Sequence, residues 1–133
     1  MYKQTLKSAD DYLAKGQSLP QNASALGNQG ARDFCNTQGA LEVVVAARED
    51  VEVAQGHSLT IGLVHAEDGE DFAPAGGAFT AEATDAALTW RAGQIVCRLA
   101  VPSTLKRRAA LQLATTDPAA SGALDGWLAY LAR

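Results

Sequence analysis

Few residues of this chain could do chemistry, and the two histidines are the first candidates. His57 follows Gly56 in a predicted turn, and His65 ends a predicted strand. Extended chain at strand rise would place them about 26 Å apart. Because metal ligands must converge on one ion, this spacing argues against a metal site shared within one chain. We therefore interpret both side chains as structural.

The densest acidic segment is residues 66–72, with the sequence AEDGEDF. Calcium prefers several carboxylate oxygens on a turn that contains glycine. The spacing here does not fit the helix-loop-helix calcium motif, and no second cluster of ligands accompanies it. We interpret the segment as a charged hairpin loop from which Phe72 returns to the core, and we expect no metal and no cofactor.

The remaining reactive residues form no recognisable motif. The chain contains no phosphate-binding glycine loop, no Gly-x-Ser-x-Gly elbow and no Cys-x-x-Cys pair. In a reducing compartment Cys35 and Cys97 are expected to be free thiols, with Cys97 on an apolar strand face; a disulfide between them cannot be deduced from sequence. Catalysis needs a nucleophile with a base, a carboxylate pair in a cleft, or a metal. We predict that the protein is not an enzyme.

Length and composition indicate one compact domain. The chain has 133 residues, of which 47% are hydrophobic, so it can bury a core. Much of that share is alanine, and large side chains are few: one Met, three Phe, three Tyr and two Trp. The core is therefore expected to be thin, and association with a partner would supply part of the stability.

Charge and hydropathy exclude several classes of partner. The net charge is −4, and the only basic cluster is Lys106, Arg107 and Arg108. Sequence-independent nucleic-acid binding depends on many Lys and Arg residues, so we expect no nucleic-acid partner. No run of about 18 apolar residues is present, which predicts no membrane-spanning helix. The first residues lack the apolar core of a signal peptide, which predicts synthesis in the cytoplasm.

Strand patterns begin near residue 40. Residues 40–46 are rich in valine, and residues 58–65 place Leu59, Ile61 and Leu63 on one face. Residues 94–101 and 109–115 repeat this period of two, and turn-forming residues separate the runs. Short strands between regular turns predict an all-β sandwich or barrel.

Two segments are ambiguous between helix and strand. Residues 79–90 are rich in alanine and fit either a helix or a strand with an irregular beginning. Residues 124–131 carry a helical stripe, but they also fit a closing strand with Trp127, Ala129 and Leu131 on one face. Because Gly126 weakens a helix there and strands precede it, the strand is favoured.

The first 33 residues differ from the rest. Turn-forming residues are frequent between positions 11 and 30, although a short helix around residues 8–15 is possible. The segment is either a loose terminus or an arm that orders against a partner, and its recurrent apolar residues favour the arm. We predict an N-terminal arm over residues 1–33 and a sandwich domain over residues 34–133.

The order of these features resembles the small jelly-roll capsid cement (decoration) proteins of tailed phages, the type described on a short-tailed Bordetella phage. The resemblance covers roughly residues 30–131. The matching segments are 30–34 (GARDF), 41–45 (LEVVV), 54–63 (AQGHSLTIGL), 67–72 (EDGEDF), 92–95 (AGQI), 106–108 (KRR) and 111–113 (LQL). Ala109 and Ala110 depart from the pattern, since the family carries an aromatic near the basic cluster.

The resemblance implies an all-β, jelly-roll-like antiparallel β-sandwich with an extended N-terminal arm. It also implies a structural virion protein that binds the outer surface of the phage capsid and clamps neighbouring major capsid proteins. Its partners would be the major capsid protein and itself, as a dimer or trimer. No catalytic residues come with the family.

Candidate contact residues follow from this hypothesis. Tyr2, Leu6, Tyr12 and Leu13 would anchor the arm in apolar pockets of a neighbour. Arg32 and the cluster Lys106, Arg107 and Arg108 would pair with acidic capsid residues, which gives register more than affinity. The alternative is a small carbohydrate-binding or other ligand-binding sandwich, in which Trp90 and Trp127 are the only candidates for stacking on a sugar.

Overall fold

A computed structural model describes residues 12–33, 41–67, 69, 71–75, 78–101 and 106–130. The described residues form strands and connecting turns without a helix, which confirms the predicted all-β class. Among them, therefore, no helix is long and apolar enough to cross a membrane. The strands are β1 (Tyr12–Ser18), β2 (Ala23–Leu26), β3 (Arg32–Asp33), β4 (Leu41–Ala47), β5 (Val51–Val53), β6 (Ser58–Ala66), β7 (Ala73–Pro74), β8 (Phe79–Glu82), β9 (Leu88–Trp90), β10 (Ile95–Ala100), β11 (Arg108–Thr115) and β12 (Ala123–Tyr130).

Two antiparallel sheets form the sandwich. Sheet A has the order β1-β12-β4-β10, and sheet B has the order β2-β11-β6 with both β7 and β8 paired to β6. The short β3 also pairs with β11, and β5 and β9 form a separate two-stranded ribbon. The first strand lies beside the last, and the main strands alternate between the two sheets. The strands therefore form an antiparallel β-sandwich, as the strand pattern predicted, and their order is that of a jelly roll, which the family resemblance implied.

The core lies between the sheets and is built from the predicted strand faces. Leu59, Ile61 and Leu63 of β6 are all buried, and on β11 Leu111 and Leu113 are fully buried. The register places Leu111 opposite Leu63 and Leu113 opposite Ile61. Because opposite residues of an antiparallel pair point to the same face, these leucines form one apolar layer.

Both ambiguous segments are strands. Residues 79–90 contain β8 and β9, and the last described segment is β12. An ideal Cβ at Gly126 would lie 2.7 Å from Cδ2 of Leu111 on the opposite sheet. The glycine that weakens a helix is therefore required here, because the two sheets approach closely at this point.

The first described residues belong to the sandwich, which corrects the predicted domain boundary at residue 33. β1 pairs with β12 in sheet A, and β2 pairs with β11 in sheet B. Leu13 and Ala14 are fully buried in the core, and residues 12–15 are strand rather than helix. The turn-forming residues bend and connect strands, with Gly16 and Asn22 at positive φ. Of the predicted arm, residues 1–11 lie outside the described residues.

This boundary makes a prediction about Leu13. Leu13→Ala should lower the free energy of unfolding by about 3 kcal/mol, because it leaves a cavity between the sheets. Lys15→Ala, on the same strand but exposed, is the control and should change it by less than about 0.5 kcal/mol. Urea denaturation measures both. Equal, small effects would mean that β1 is not part of the core.

Candidate functional site

The predicted basic residues come together at one end of sheet B. Lys106 and Arg107 lead into β11, which begins at Arg108, and the backbone of Arg108 is opposite Ala66 at the end of β6. On the other side of β11, the backbone of Arg32 is opposite Ala109. Residues that are distant in sequence therefore meet at one end of the sandwich, which we call the basic end.

Neighbouring side chains position the basic end. The backbone N–H of Lys106 donates to Nδ1 of His65 at 3.1 Å. The Arg108 guanidinium lies over the ring of Phe72, 5.7 Å from its centroid, which is within the range of a cation–π interaction. Arg107 and Arg108 are exposed. The basic end can therefore offer guanidinium groups to an acidic surface, while His65 has a structural role.

Of the contact residues predicted in the arm, Tyr12 lies on the outer face of sheet A and Leu13 in the core. The Tyr12 ring lies 6.1 Å from the Trp127 ring, with 52° between their planes, on the outer face of sheet A. Leu13 is fully buried, so its predicted role as a partner contact is wrong, because the period of two along β1 turns it into the core. Tyr2 and Leu6 lie outside the described residues.

The outer face of sheet A carries an apolar patch that the sequence analysis missed. Val44 of β4 lies opposite Trp127, which lies opposite Tyr12. Val44 is 3% and Trp127 8% exposed, yet neither belongs to the core cluster between the sheets. The signal was the uninterrupted run Val43-Val44-Val45, since an apolar run without alternation is typical of a strand covered on both faces.

An ion pair lies on this face. Nη1 of Arg98 on β10 donates to Oε2 of Glu42 on β4 at 2.7 Å. Glu42 is buried, whereas more than half of the Arg98 side chain is exposed. Arg98 therefore satisfies a buried carboxylate and still presents charge to solvent.

An open pocket of about 330 Å³ lies at the end of the sandwich where β11 finishes. His57, Glu82, Thr84 and Thr116 are among its lining residues. Nδ1 of His57 is 3.2 Å from Oγ1 of Thr116, which also accepts from the backbone N–H of Ser58 at 3.0 Å. The Thr116 oxygen already accepts a backbone hydrogen bond. We therefore interpret the contact between His57 and Thr116 as structural, holding the loop at His57 against the end of β11.

Asp117 joins three loops beside this pocket. Its Oδ2 accepts from the backbone N–H of Ala54 at 2.8 Å, and its Oδ1 accepts from that of Ala119 at 2.8 Å. Its backbone carbonyl accepts from Asn22 at 3.1 Å. The amide donors hold the pKa of the Asp117 carboxyl below its ordinary value. Asp117 therefore carries a structural charge.

Metal and thiol chemistry find little support in the described part of the chain. No group of three or more His, Cys, Asp or Glu side chains is placed there to hold a metal ion. Two positions of the acidic segment, 68 and 70, lie outside the described residues. Cys97 is a free, buried thiol, and burial raises its pKa to about 12. Such a thiol is unreactive near neutral pH. Cys35 lies outside the described residues.

The Asp117 contacts predict a pH dependence. A carboxyl with a lowered folded-state pKa contributes stability above its unfolded value of about 3.8, and that contribution is lost as pH falls through the folded-state pKa. In Asp117→Asn, the fall in melting temperature between about pH 5 and pH 3 should therefore be smaller than in the wild type. Asp85→Asn, at an exposed position, is the control. An unchanged pH profile in Asp117→Asn would contradict the structural role of this carboxylate.

Comparison with known proteins identifies no relative: no family model, curated protein or solved structure matches the chain. The strand order, the burial of the aromatic side chains and the exposed guanidinium groups are therefore the basis for inferring function.

Proposed function

We propose that the chain is a structural virion protein, a capsid cement protein that binds the outer surface of a tailed-phage capsid and clamps neighbouring major capsid proteins. It is made in the host cytoplasm and ends up on the virion. Its partners are the major capsid protein and further copies of itself, in a dimer or a trimer, without nucleic acid, membrane, cofactor or catalysis.

The jelly-roll strand order is the observation that carries this proposal. The sequence resemblance implied that fold. The order β1-β12-β4-β10 in sheet A and β2-β11-β6 in sheet B, with β7 and β8 both beside β6, agrees with it. Folds are shared among functions, so the fold alone is not sufficient. The match between segments quoted for the resemblance and observed strands adds support, since residues 41–45 lie in β4 and residues 111–113 in β11.

The basic end supplies a suitable contact for an acidic shell. Arg107 and Arg108 are consecutive and both exposed, and the Arg108 guanidinium lies over the Phe72 ring. A guanidinium that is already positioned loses less conformational entropy when it meets a carboxylate. Many copies on one particle then make individually weak contacts collectively strong.

The burial of the two tryptophans gives the sugar-binding alternative less support than the cement proposal. Trp127 is buried, and Trp90 is partly buried and packs against the core cluster. The large exposed hydrophobic residues of the described chain are the aliphatic Leu26 and Ile95. Sugar rings stack on exposed aromatic faces, and neither tryptophan offers one.

Because β1 and β2 belong to the sandwich, the anchoring role of the arm must be tested with a short deletion. Deleting residues 1–29 would remove β1, β2 and the buried Leu13, so loss of binding would only report loss of the fold. Deleting residues 2–11 removes Tyr2 and Leu6 but no residue of a described strand. This shorter deletion separates anchoring by the arm from folding.

We expect charge reversal at the basic end to weaken capsid binding. The test is co-sedimentation of the purified chain with capsids of the encoding phage from which this protein has been removed. Arg107→Glu with Arg108→Glu should weaken binding by about tenfold, because acidic residues would then face an acidic surface. Lys15→Glu with Arg91→Glu makes the same charge change at exposed sites elsewhere and should bind as the wild type does.

The outcomes separate the parts of the proposal. If the wild type does not sediment with capsids, the cement function is wrong. If both double variants bind equally, the capsid contact is not at the basic end. If deletion of residues 2–11 leaves binding unchanged, the arm is not an anchor.

A further inference from the structure

The edges of the two sheets differ in how far they are open to another strand. Unpaired N–H and C=O groups at an edge can form a ladder with an extended partner, and proteins protect such edges with bulges, short strands and proline. The described edges are β1 and β10 in sheet A, with β2, the two-residue β3 and the pair β7 and β8 in sheet B.

The β1 edge is protected. Its pairing with β12 is interrupted by two register shifts. Next to them, the side chain of Asn28 donates to the Lys15 carbonyl at 2.7 Å and accepts from the Lys15 N–H at 2.8 Å. Both backbone groups of Lys15 are thus occupied by one side-chain amide, which takes the place of a neighbouring strand.

The sheet B edges are short. β2 has four residues, β7 two and β8 four. β7 also contains Pro74, which has no backbone N–H to donate. None of these edges offers a ladder as long as that of β10.

The β10 edge is long and open. The strand has six residues, and no described strand pairs with its outer side. After one irregularity between Ile95 and Cys97, its pairing with β4 is regular from Cys97 to Ala100. Ile95 is 47% exposed at its beginning, one of two large hydrophobic residues exposed in the described chain.

We propose that β10 pairs antiparallel with β10 of a second copy across a twofold axis at Leu99, which joins two copies of sheet A into one eight-stranded sheet. The proposal deepens the proposed function, since it specifies the self-association that the cement hypothesis includes, and it requires no capsid.

The alternation of side chains limits the register. Leu99 and Cys97 face the core, whereas Arg98 and Ala100 are exposed. Because residues opposite each other must share a face, the axis within the regular segment passes through Arg98 or Leu99. An axis at Arg98 places two guanidinium groups opposite each other, which is unfavourable. An axis at Leu99 places Arg98 opposite Ala100 of the second copy.

Charge complementarity favours the Leu99 register. Ala100 lies opposite Glu42 within one chain, so Arg98 of the second copy would reach across the small Ala100 towards that carboxylate. Glu42 already accepts from its own Arg98 at 2.7 Å. Across the twofold, each of the two Glu42 carboxylates would then lie between two guanidinium groups. The side chain of Arg98, more than half exposed in one copy, would be covered in the pair.

Disulfide trapping tests the register. Cys35→Ser is the background, and Arg98→Cys and Ala100→Cys are made in separate chains. Oxidising an equal mixture should give a covalent dimer that contains one chain of each kind, because opposite Cα atoms lie within disulfide range. Each chain alone should give at least about tenfold less dimer, because its cysteine pairs with no equivalent cysteine at this register. Ser24→Cys on β2 mixed with Ala100→Cys is the control for random collision and should give no covalent dimer of the two chains.

Each result decides one point. Efficient cross-linking of Arg98→Cys with itself would move the axis to Arg98 and overturn the register. If no mixture forms a covalent dimer and the unmodified chain sediments as a monomer in sedimentation velocity, β10 pairing is overturned. Capsid co-sedimentation of the same unmodified chain is scored separately, so loss of dimerisation and loss of the cement function are distinguishable.

Discussion

The two sheets approach each other closely where Leu111 faces Gly126, and this spacing limits the size of the side chains between them. A side chain at position 126 would meet Leu111 at 2.7 Å, so glycine sets the distance between β11 and β12. At that distance a core of alanine, valine and leucine fills the space without large aromatic residues. Leu13 of β1 is fully buried in the same layer, which is why the first described strand is part of the domain. The scarcity of large side chains in the sequence is therefore consistent with this spacing.

The period of two predicted the strands, and tertiary context decided the rest. Residues 58–65 and 109–115 alternate so clearly that β6, β11 and their buried faces followed directly. The first strand was not predicted, because Gly16 and the turn residues around Asn22 resemble a loose terminus until β12 is available to pair with β1. The same limitation applied to Leu13, whose direction depends on the register of a strand that had not been identified.

The candidate site was predicted in composition but not in detail. The basic cluster stands out in an acidic chain, and the sequence pattern predicted it at the entrance to a strand, where Lys106 and Arg107 lead into β11 at Arg108. Their neighbours Phe72 and His65 come from other segments, so these contacts depend on the fold. Glu42 and Arg98 show the same limit, since 56 residues separate them in sequence and only the pairing of β4 with β10 brings them together. Different parts of the sandwich thus have different roles. The core between the sheets stabilises the fold. We propose that the basic end contacts the capsid and that the β10 edge pairs with a second copy.

The proposed cement function is tested by the number of copies of the chain on each virus particle. Quantitative mass spectrometry of purified virions of the encoding phage compares this chain with the major capsid protein. A cement protein that occupies lattice sites should be present at a ratio close to one, or at a simple fraction of one. A handful of copies per particle, or none, would contradict the account, because a chain that clamps neighbouring capsid subunits must be present wherever those subunits meet.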